Sequence, residues 1–381
     1  MALDFQQIRQ QIIELGKNAP ERQKEISQLR ETARKLLTQN SMNQDYLREK
    51  LSRVVNLNSG FRCAIPTEEA FSEVFPLPPI PEDIIIVGAD GSQINPDSHL
   101  ELDYCLVNVG AFIMKIEDSK APQTFVQSEL YYDEKLYTPS GALTQGMIAL
   151  MRDTREREFL AEIASEIGQR VITIADGPIE LWGREELVSQ HFERYLIALS
   201  KLNKLGAITA GYVDRPRSDL VVRLLELSAL DENKLSAAGK ERFLLGVRDI
   251  DLWGPFLDAG ARSAVFGIQS KTANKYEEEL ALHFFYLNAS MGENKPYLVR
   301  VEVPAWVARD EQMLNDLHAV LVNQAQIIPG ARYPYALHRA HETAVVTYDE
   351  RNQVTDMIAN ELIKNGVIPG SRSSKQIAKD F

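Results

Sequence analysis

The sequence predicts a mixed α/β fold behind a helical N-terminal extension. Three observations carry this reading. Apolar residues recur at helical spacing among charges over residues 3–58. Three strand-like runs then follow in antiparallel style between residues 84 and 133. From about residue 140 to 229, helix-period and strand-period segments alternate.

The elements follow in order. Ile8, Ile12, Leu15, Ile26, Leu29, Ala33 and Leu36 mark the first helical stretch, and Asn18 to Pro20 predicts a break in it. Residues 61–82 hold Pro66, Pro76, Pro78, Pro79 and Pro81, which predicts a linker or covering loop without regular structure. IIIVGAD (84–90) is wholly apolar up to Asp90 and reads as a strand buried on both faces. Residues 102–116 and 124–133 read as the second and third strands, joined through a polar turn. A helix is expected over 140–168, a buried strand over VITIAD (171–176), a helix over 185–202, a strand over 205–213 and a helix over 218–229. Residues 231–246 read as a polar excursion. Strands are expected at 283–288 and 297–304, and helices at 309–324, 334–347 and 350–364. The domain reading is a helical extension (1–60), the Pro-rich linker (61–82), a main domain (83–350) and a C-terminal helix with a polar tail (351–381). A ribonuclease H-like mixed sheet flanked by helices has this order of elements.

Composition bounds the function. The 381 residues are 44% hydrophobic and 25% charged, which suits a soluble globular chain large enough to bury a core. No apolar run reaches the ~18 residues of a membrane span, and the N-terminus lacks a compact secretory signal, so a cytoplasmic protein without membrane attachment is expected. Cys63 and Cys105 are too few for a disulfide framework or a cysteine zinc site and read as buried thiols. The net charge of −12 argues against gripping nucleic acid by bulk electrostatics. It remains compatible with a carboxylate site whose positive charge comes from bound metal.

The chemistry-bearing feature is an echo. IIIVGADGSQ and VITIADGPIE are both apolar strands running into Ala-Asp-Gly. Two readings fit: the Asp-Gly pairs turn the chain after each strand, or neighbouring strands set Asp90 and Asp176 side by side at a sheet edge. Adjacent carboxylates repel and favour a hard divalent cation. Ser92 either positions a ligand or caps the turn. Glu156 lies four, seven and eleven residues before Leu160, Ile163 and Ile167, on the sheet-facing stripe of its helix. A carboxylate there needs a cation or hydrogen-bond donors. Glu158, about 200° round the helix at about 100° per residue, is its substitute, and Glu129 a more distant candidate.

These segments together resemble the NurA nuclease family. The match rests on ADGSQI (89–94), ADGPIELW (175–182), GYVDRPRSDLVVRLL (211–225), YLVRVEVPAW (297–306) and YPYALHRAHETAVV (333–346), spread over about residues 84–350. The resemblance implies a ribonuclease H-like core and a Mn²⁺-dependent deoxyribonuclease, with Mg²⁺ as the alternative ion. It implies single-strand endonuclease and 5′→3′ exonuclease activity in DNA end processing and double-strand break repair. The implied partners are single-stranded or resected DNA ends, a HerA-type hexameric translocase and a second copy of the chain. Carried over by motif, the catalytic set is Asp90, Glu156 (or Glu158), Asp176, Tyr333 and His341. Asp90, Glu156, Asp176 and His341 would be the metal ligands.

Pro334 suits the first turn of a helix, and Tyr333, Leu337, His341 and Val345 recur every four residues, so one stripe carries the late tyrosine and histidine. His341 reads either as a core histidine or as a metal or phosphate ligand. Arg215 and Arg217 suit phosphate binding or a solvated turn, and Arg300 the open face of the sheet or a pair with Glu302. Trp182, Trp253 and Trp306 stack on bases or pack in the core. The mechanism expected is hydrolysis at two ions about 3.5–4 Å apart. The rivals are an ATP-using enzyme of the same fold, for which no Walker A sequence is present, and a non-catalytic adaptor of a translocase.

Overall fold

In the computed structural model of the chain, residues 4–96, 103–116, 121–139, 141–181, 185–290, 292 and 295–367 are described. The chain opens with α1 (Phe5–Gln39) and α2 (Gln44–Leu57), followed by β1 (Cys63–Pro66) and β2 (Val74–Phe75). Three long strands come next: β3 (Ile85–Ile94), β4 (Tyr104–Lys115) and β5 (Gln123–Tyr132). After the small hairpin β6 (Tyr137–Thr138) and β7 (Gly141–Ala142), the chain alternates through α3 (Gln145–Ile167), β8 (Val171–Asp176), α4 (Glu185–Lys204), β9 (Ile208–Val213) and α5 (Leu220–Ala229). Then follow α6 (Ile250–Trp253), β10 (Arg262–Ser263), β11 (Phe266–Gln269), β12 (Leu282–Asn288) and β13 (Leu298–Pro304). The last helices are α7 (Ala305–Ala308), α8 (Glu311–Gln326), α9 (Tyr335–Ala344) and α10 (Tyr348–Lys364).

The chain forms two compact units, one of residues 1–77, 214–275 and 281–300, the other of 78–213, 276–280 and 301–381. The stretch 83–350, expected as one domain, is thus shared between them, and their boundary falls inside β13.

The second unit holds a mixed sheet in the order β9-β8-β3-β4-β5. β3, β4 and β5 pair antiparallel, whereas β8 runs parallel to both β3 and β9. This is the ribonuclease H-like arrangement the element order predicts. Ile86, Val87, Ile172, Ile174 and Ala210 are buried, as expected of strands covered by helices on both faces. Strand alternation sends Gly88, Asp90 and Ser92 to one face and Ala89 and Gly91 to the other. Helix α9 lies against the first face: a Cβ on Gly88 would stand 2.6 Å from the Ala336 carbonyl, and one on Gly110 2.6 Å from the Ala344 nitrogen. Helix α3 lies against the other, where a Cβ on Gly91 would meet Arg152 and Glu156 at 2.6 Å.

The first unit is built on α1, α2 and α5 and a sheet in which β1 pairs β11, β11 pairs β12, and β10 joins β12 to β2. Its core includes Trp253 stacked on Tyr286 at 5.1 Å and Phe266 stacked on Phe284 at 5.8 Å.

Several expectations are corrected. The break at Asn18–Pro20 is absent, and α1 runs through Pro20. Residues 11–20 are all exposed, so the backbone carbonyl that Pro20 cannot serve is open to water. The break comes at Asn40, whose side chain donates to the Leu36 carbonyl. The Pro-rich segment is not wholly irregular. Its prolines leave Cys63–Pro66 and Val74–Phe75 able to pair antiparallel. β3 does not end at Asp90 but continues four residues further, because β4 pairs with it through Ile94. Strands β10 and β11 have no counterpart in the sequence reading, being only two and four residues long. Both cysteines are buried and free. Among the described residues no helix is long and apolar enough to cross a membrane. The polar tail beyond residue 367 and Trp182 lie outside the described residues.

Candidate active site

The site is built on the edge where β8 stops and β3 continues. Ala89 pairs with Ala175 in parallel register, so Asp90 and Asp176 are the next residues on neighbouring strands. β8 ends at Asp176, and Gly177 (φ +86°) turns the chain away, its N–H donating to the Tyr212 carbonyl at 2.8 Å. The turn reading therefore holds for Asp176-Gly177 and fails for Asp90-Gly91, which lies inside a strand. Gly91 serves a different end: it leaves the space that Arg152 and Glu156 fill.

Asp90 is held from two sides. Its Oδ1 accepts the Gly91 N–H at 2.8 Å, and its Oδ2 lies 2.6 Å from His341 Nδ1. In the tautomer whose Nδ1–H donates to Asp90, Nε2 carries the ring's free lone pair. The His341 side chain is 61% exposed, so it is not a core histidine. The end of its helix is pinned from β3 and β4: Ser92 Oγ and Asn108 Nδ2 both donate to the Ala344 carbonyl, at 2.5 and 2.7 Å. Ser92 thus caps α9 rather than a turn. His338, three residues earlier, faces Glu342 at 3.5 Å.

Tyr333 precedes α9 and donates its hydroxyl to Asp176. Burial, followed by the charge of Asp176, pushes the phenol far above its ordinary range. Its ring meets Tyr212 edge-on at 5.6 Å, and the Tyr212 hydroxyl donates to the Arg332 carbonyl at 3.0 Å. Arg332 takes a positive φ of 54°, so this bond holds a turn that the backbone alone disfavours.

The choice between the two helix glutamates is a matter of surroundings. Glu156 is 6% exposed and reaches its Oε1 into the space beside Gly91. Burial first, then the charges of Asp153 and Asp90, raise its carboxyl well above the ordinary value, with Arg152 acting against them. Glu158 points elsewhere and is gripped by Arg194 at 2.7 and 2.8 Å and by Arg155. Glu129, on the exposed edge strand β5, belongs with Tyr131 and Arg194 instead.

Arg152 was not singled out in the sequence, yet it stands within this group. Its Nε is 3.3 Å from Glu156 Oε1, and it donates to Asp153 Oδ1 at 2.7 and 3.1 Å. The one usable signal was its spacing, four residues before the inward glutamate.

The remaining candidates serve other ends. Trp253 is fully buried against Tyr286, and Trp306 donates to the Ala207 carbonyl at 3.0 Å. Both are packing residues. Arg300 is buried, its guanidinium 6.0 Å from the Phe284 ring, and so is not on an open face. Glu302 accepts the backbone N–H groups of Ile179 and Glu180, at 2.8 and 3.3 Å. Arg215 is exposed beside Asp214 and Tyr297, and Arg217 is exposed in the same turn.

Hard oxygen donors with one imidazole suit a divalent ion such as Mn²⁺ or Mg²⁺ in kind. Among the described residues, no three acidic, histidine or cysteine side chains are gathered tightly enough to hold a metal ion. Asp90 projects toward α9 on one face of β3, whereas Glu156 approaches from α3 on the other. Each carboxylate is engaged by its own protein partner: Asp90 by His341, Asp176 by Tyr333 and Glu156 by Arg152. The residues fit a divalent ion by the chemistry of their donors.

No curated protein matches the chain by sequence. Among solved structures, the NurA nuclease from Sulfolobus solfataricus is similar at 13% identity and a TM-score of 0.55, over 95% of this chain and 98% of that one. A crystal structure of NurA with manganese aligns at 10% identity and a TM-score of 0.38, over 76% and 91% of the two chains. Ciona intestinalis Endonuclease V in complex with an inosine-containing DNA aligns at 12% identity and a TM-score of 0.31, over 81% and 98%. The first of these likenesses establishes the shared fold. The NurA domain model matches residues 84–346, more than half of the sequence and all of the segments that build this site, and the chain therefore belongs to the NurA family.

Proposed function

We propose that the protein is a metal-dependent deoxyribonuclease whose ion is held by Asp90, Glu156 and Asp176, with His341 beside it. The observation that carries this reading is the juxtaposition of Asp90 and Asp176 in register, with buried Glu156 entering beside Gly91. A buried carboxylate such as Glu156 is costly unless a charge answers it, and two carboxylates set on neighbouring strands favour a cation between them. When bound, such an ion supplies an activated water and stabilises the leaving oxygen of a phosphodiester.

The chain's own residues contribute the rest. The His341 side chain is 61% exposed while its Nδ1 is anchored on Asp90, which suits a proton-transfer role at the scissile phosphate. Tyr333, anchored on Asp176, orients that carboxylate. The net charge of −12 fits a nuclease that holds DNA weakly by itself and receives it from a partner or across a dimer. A HerA-type translocase and a second copy of the chain are the proposed partners. Single-stranded or resected ends are the proposed substrate, in end processing during break repair. Mn²⁺ is the proposed ion, by analogy with the NurA crystallised with manganese.

The test is cleavage of end-labelled single-stranded DNA with Mn²⁺. Asp90→Ala and Asp176→Ala are expected to abolish it while keeping the circular dichroism spectrum of the parent. Undiminished cleavage by both folded variants would refute the assignment. ATP turnover without DNA cleavage would favour a nucleotide-using enzyme instead.

A further inference from the structure

We propose that Arg152 is the resident counter-cation of the acidic site, holding the Glu156 carboxylate in the metal-free protein and competing with a divalent ion for it. The inference rests on the metal-site reading above and adds a residue to which that reading gives no role.

The first argument is need. Glu156 is 6% exposed, and a buried carboxylate requires a compensating charge. Three arginines lie near it on α3. Arg155 pairs with Glu158 and Glu162, at 3.4 and 2.7 Å. Arg157 is turned away: it is 2% exposed and lies 5.5 Å from the Tyr195 ring. Its Nε and Nη1 have no hydrogen-bond partner among the described residues. Arg152 makes the ion pair, at 3.3 Å.

The second argument is seating. The Arg152 stem passes over Gly91, where a Cβ would stand 2.6 Å from its Cγ and 3.0 Å from its Cδ. The same missing side chain makes room for Glu156 Oε1. One glycine in β3 thus accommodates both members of the pair at the flank of Asp90.

The third argument is that helix stability does not account for the pair. An acid four residues before a base is the favourable order on a helix, and here the arginine comes first. The guanidinium is shared with Asp153 at 2.7 Å and lies within the field of Asp90, so it serves a cluster of carboxylates. Its side chain is 31% exposed, which leaves it a path to swing out toward solvent when an ion takes its place.

The experiment is Mn²⁺ binding by titration calorimetry at pH 8 on the full chain without DNA, for wild type, Arg152→Gln, Arg152→Ala and Arg152→Lys. Removing the competing charge is expected to tighten Mn²⁺ binding roughly ten-fold in the Gln and Ala variants. Lys, which keeps the charge, is expected to stay near wild type. Arg152→Gln retains most of the stem over Gly91 and guards against misfolding in the Ala variant. Unchanged or weaker Mn²⁺ affinity in folded Arg152→Gln overturns the proposal, as does a KM effect on DNA with no effect on Mn²⁺. The underlying reading is tested in the same titration. If wild type binds Mn²⁺ and Glu156→Gln loses it, that reading stands whatever Arg152 does; if wild type binds none, both fall.

Discussion

At the scale of the residue, the charged groups of the site are answered by protein partners. His341 illustrates how little of this is packing: its side chain is mostly exposed, and its Nδ1 lies 2.6 Å from Asp90 Oδ2. His341→Ala is therefore expected to lower Mn²⁺-dependent cleavage by about 10²–10⁴-fold, the usual worth of a positioned acid or base. Its melting temperature is expected to stay close to that of the parent, because little buried area is lost. A variant that cleaves normally would remove His341 from the chemistry. The glycines make the complementary point. At Gly88 an added Cβ meets the Ala336 backbone at 2.6 Å, whereas at Gly91 it meets the Arg152 and Glu156 side chains at the same distance. Side chains can rotate away and a helix backbone cannot. Gly88→Ala is expected to cost about 2–4 kcal/mol and Gly91→Ala about 1–2, measured by urea denaturation. Gly91→Ala should nevertheless lose more activity per unit of stability. The reverse order of stabilities would contradict the packing described here.

At the scale of the element, helix ends are held by residues distant in sequence. Ser92 and Asn108 bind the last turn of α9, and Asp249 does the same at the start of α5. Asp249 is fully buried; its Oδ1 accepts the Val222 N–H at 2.9 Å, and its Oδ2 accepts the Tyr286 hydroxyl at 2.8 Å. Burial outweighs these bonds and pushes its carboxyl up to about 6. A folded-state value above the unfolded one means the folded protein binds the proton more tightly. The associated stability is present at acid pH and is lost as pH rises through about 6. Asp249→Asn is expected to remove that dependence and to gain about 1–3 kcal/mol on the parent between pH 5 and pH 8. Melting curves at pH 5, 6.5 and 8 test it, and parallel pH profiles for the two proteins would exclude a titrating Asp249.

At the scale of the whole molecule, the two compact units differ in what the chain invests in them. The proposed chemistry lies entirely in the unit containing β3, β8, α3 and α9. In the other unit, most of the first half of α1 is exposed, with Phe5 at 64%, Ile12 at 59% and Leu15 at 73%. Burial begins further along the helix, at Ala33 and Leu37. Deleting residues 1–20 is accordingly expected to leave the melting temperature within about 2 °C of the parent. A drop well beyond that would show that the helix is stabilised by contacts its exposure does not suggest.

Local pattern alone determined much of this protein. The apolar runs at 84–90 and 171–176 identified two central strands, because burial on both faces leaves an uninterrupted signature in the chain. The periodicity of α3 also turned Glu156 inward rather than Glu158, since a period of 3.6 residues is a local property. What the tertiary structure decided was everything that depends on a partner far along the chain. β3 runs past Asp90 because β4 pairs with it to Ile94, so an Asp-Gly that resembles a turn is a strand residue beside a space. His341 meets Asp90 across 251 residues of sequence, and Ser92 caps a helix 252 residues away. The break expected at Pro20 does not form, that part of α1 being open to water, and the short strands β10 and β11 exist only because β1, β2 and β12 lie beside them. Periodicity records which face of an element is buried. The group that waits on that face is set by chain closure over hundreds of residues, and no local pattern encodes it.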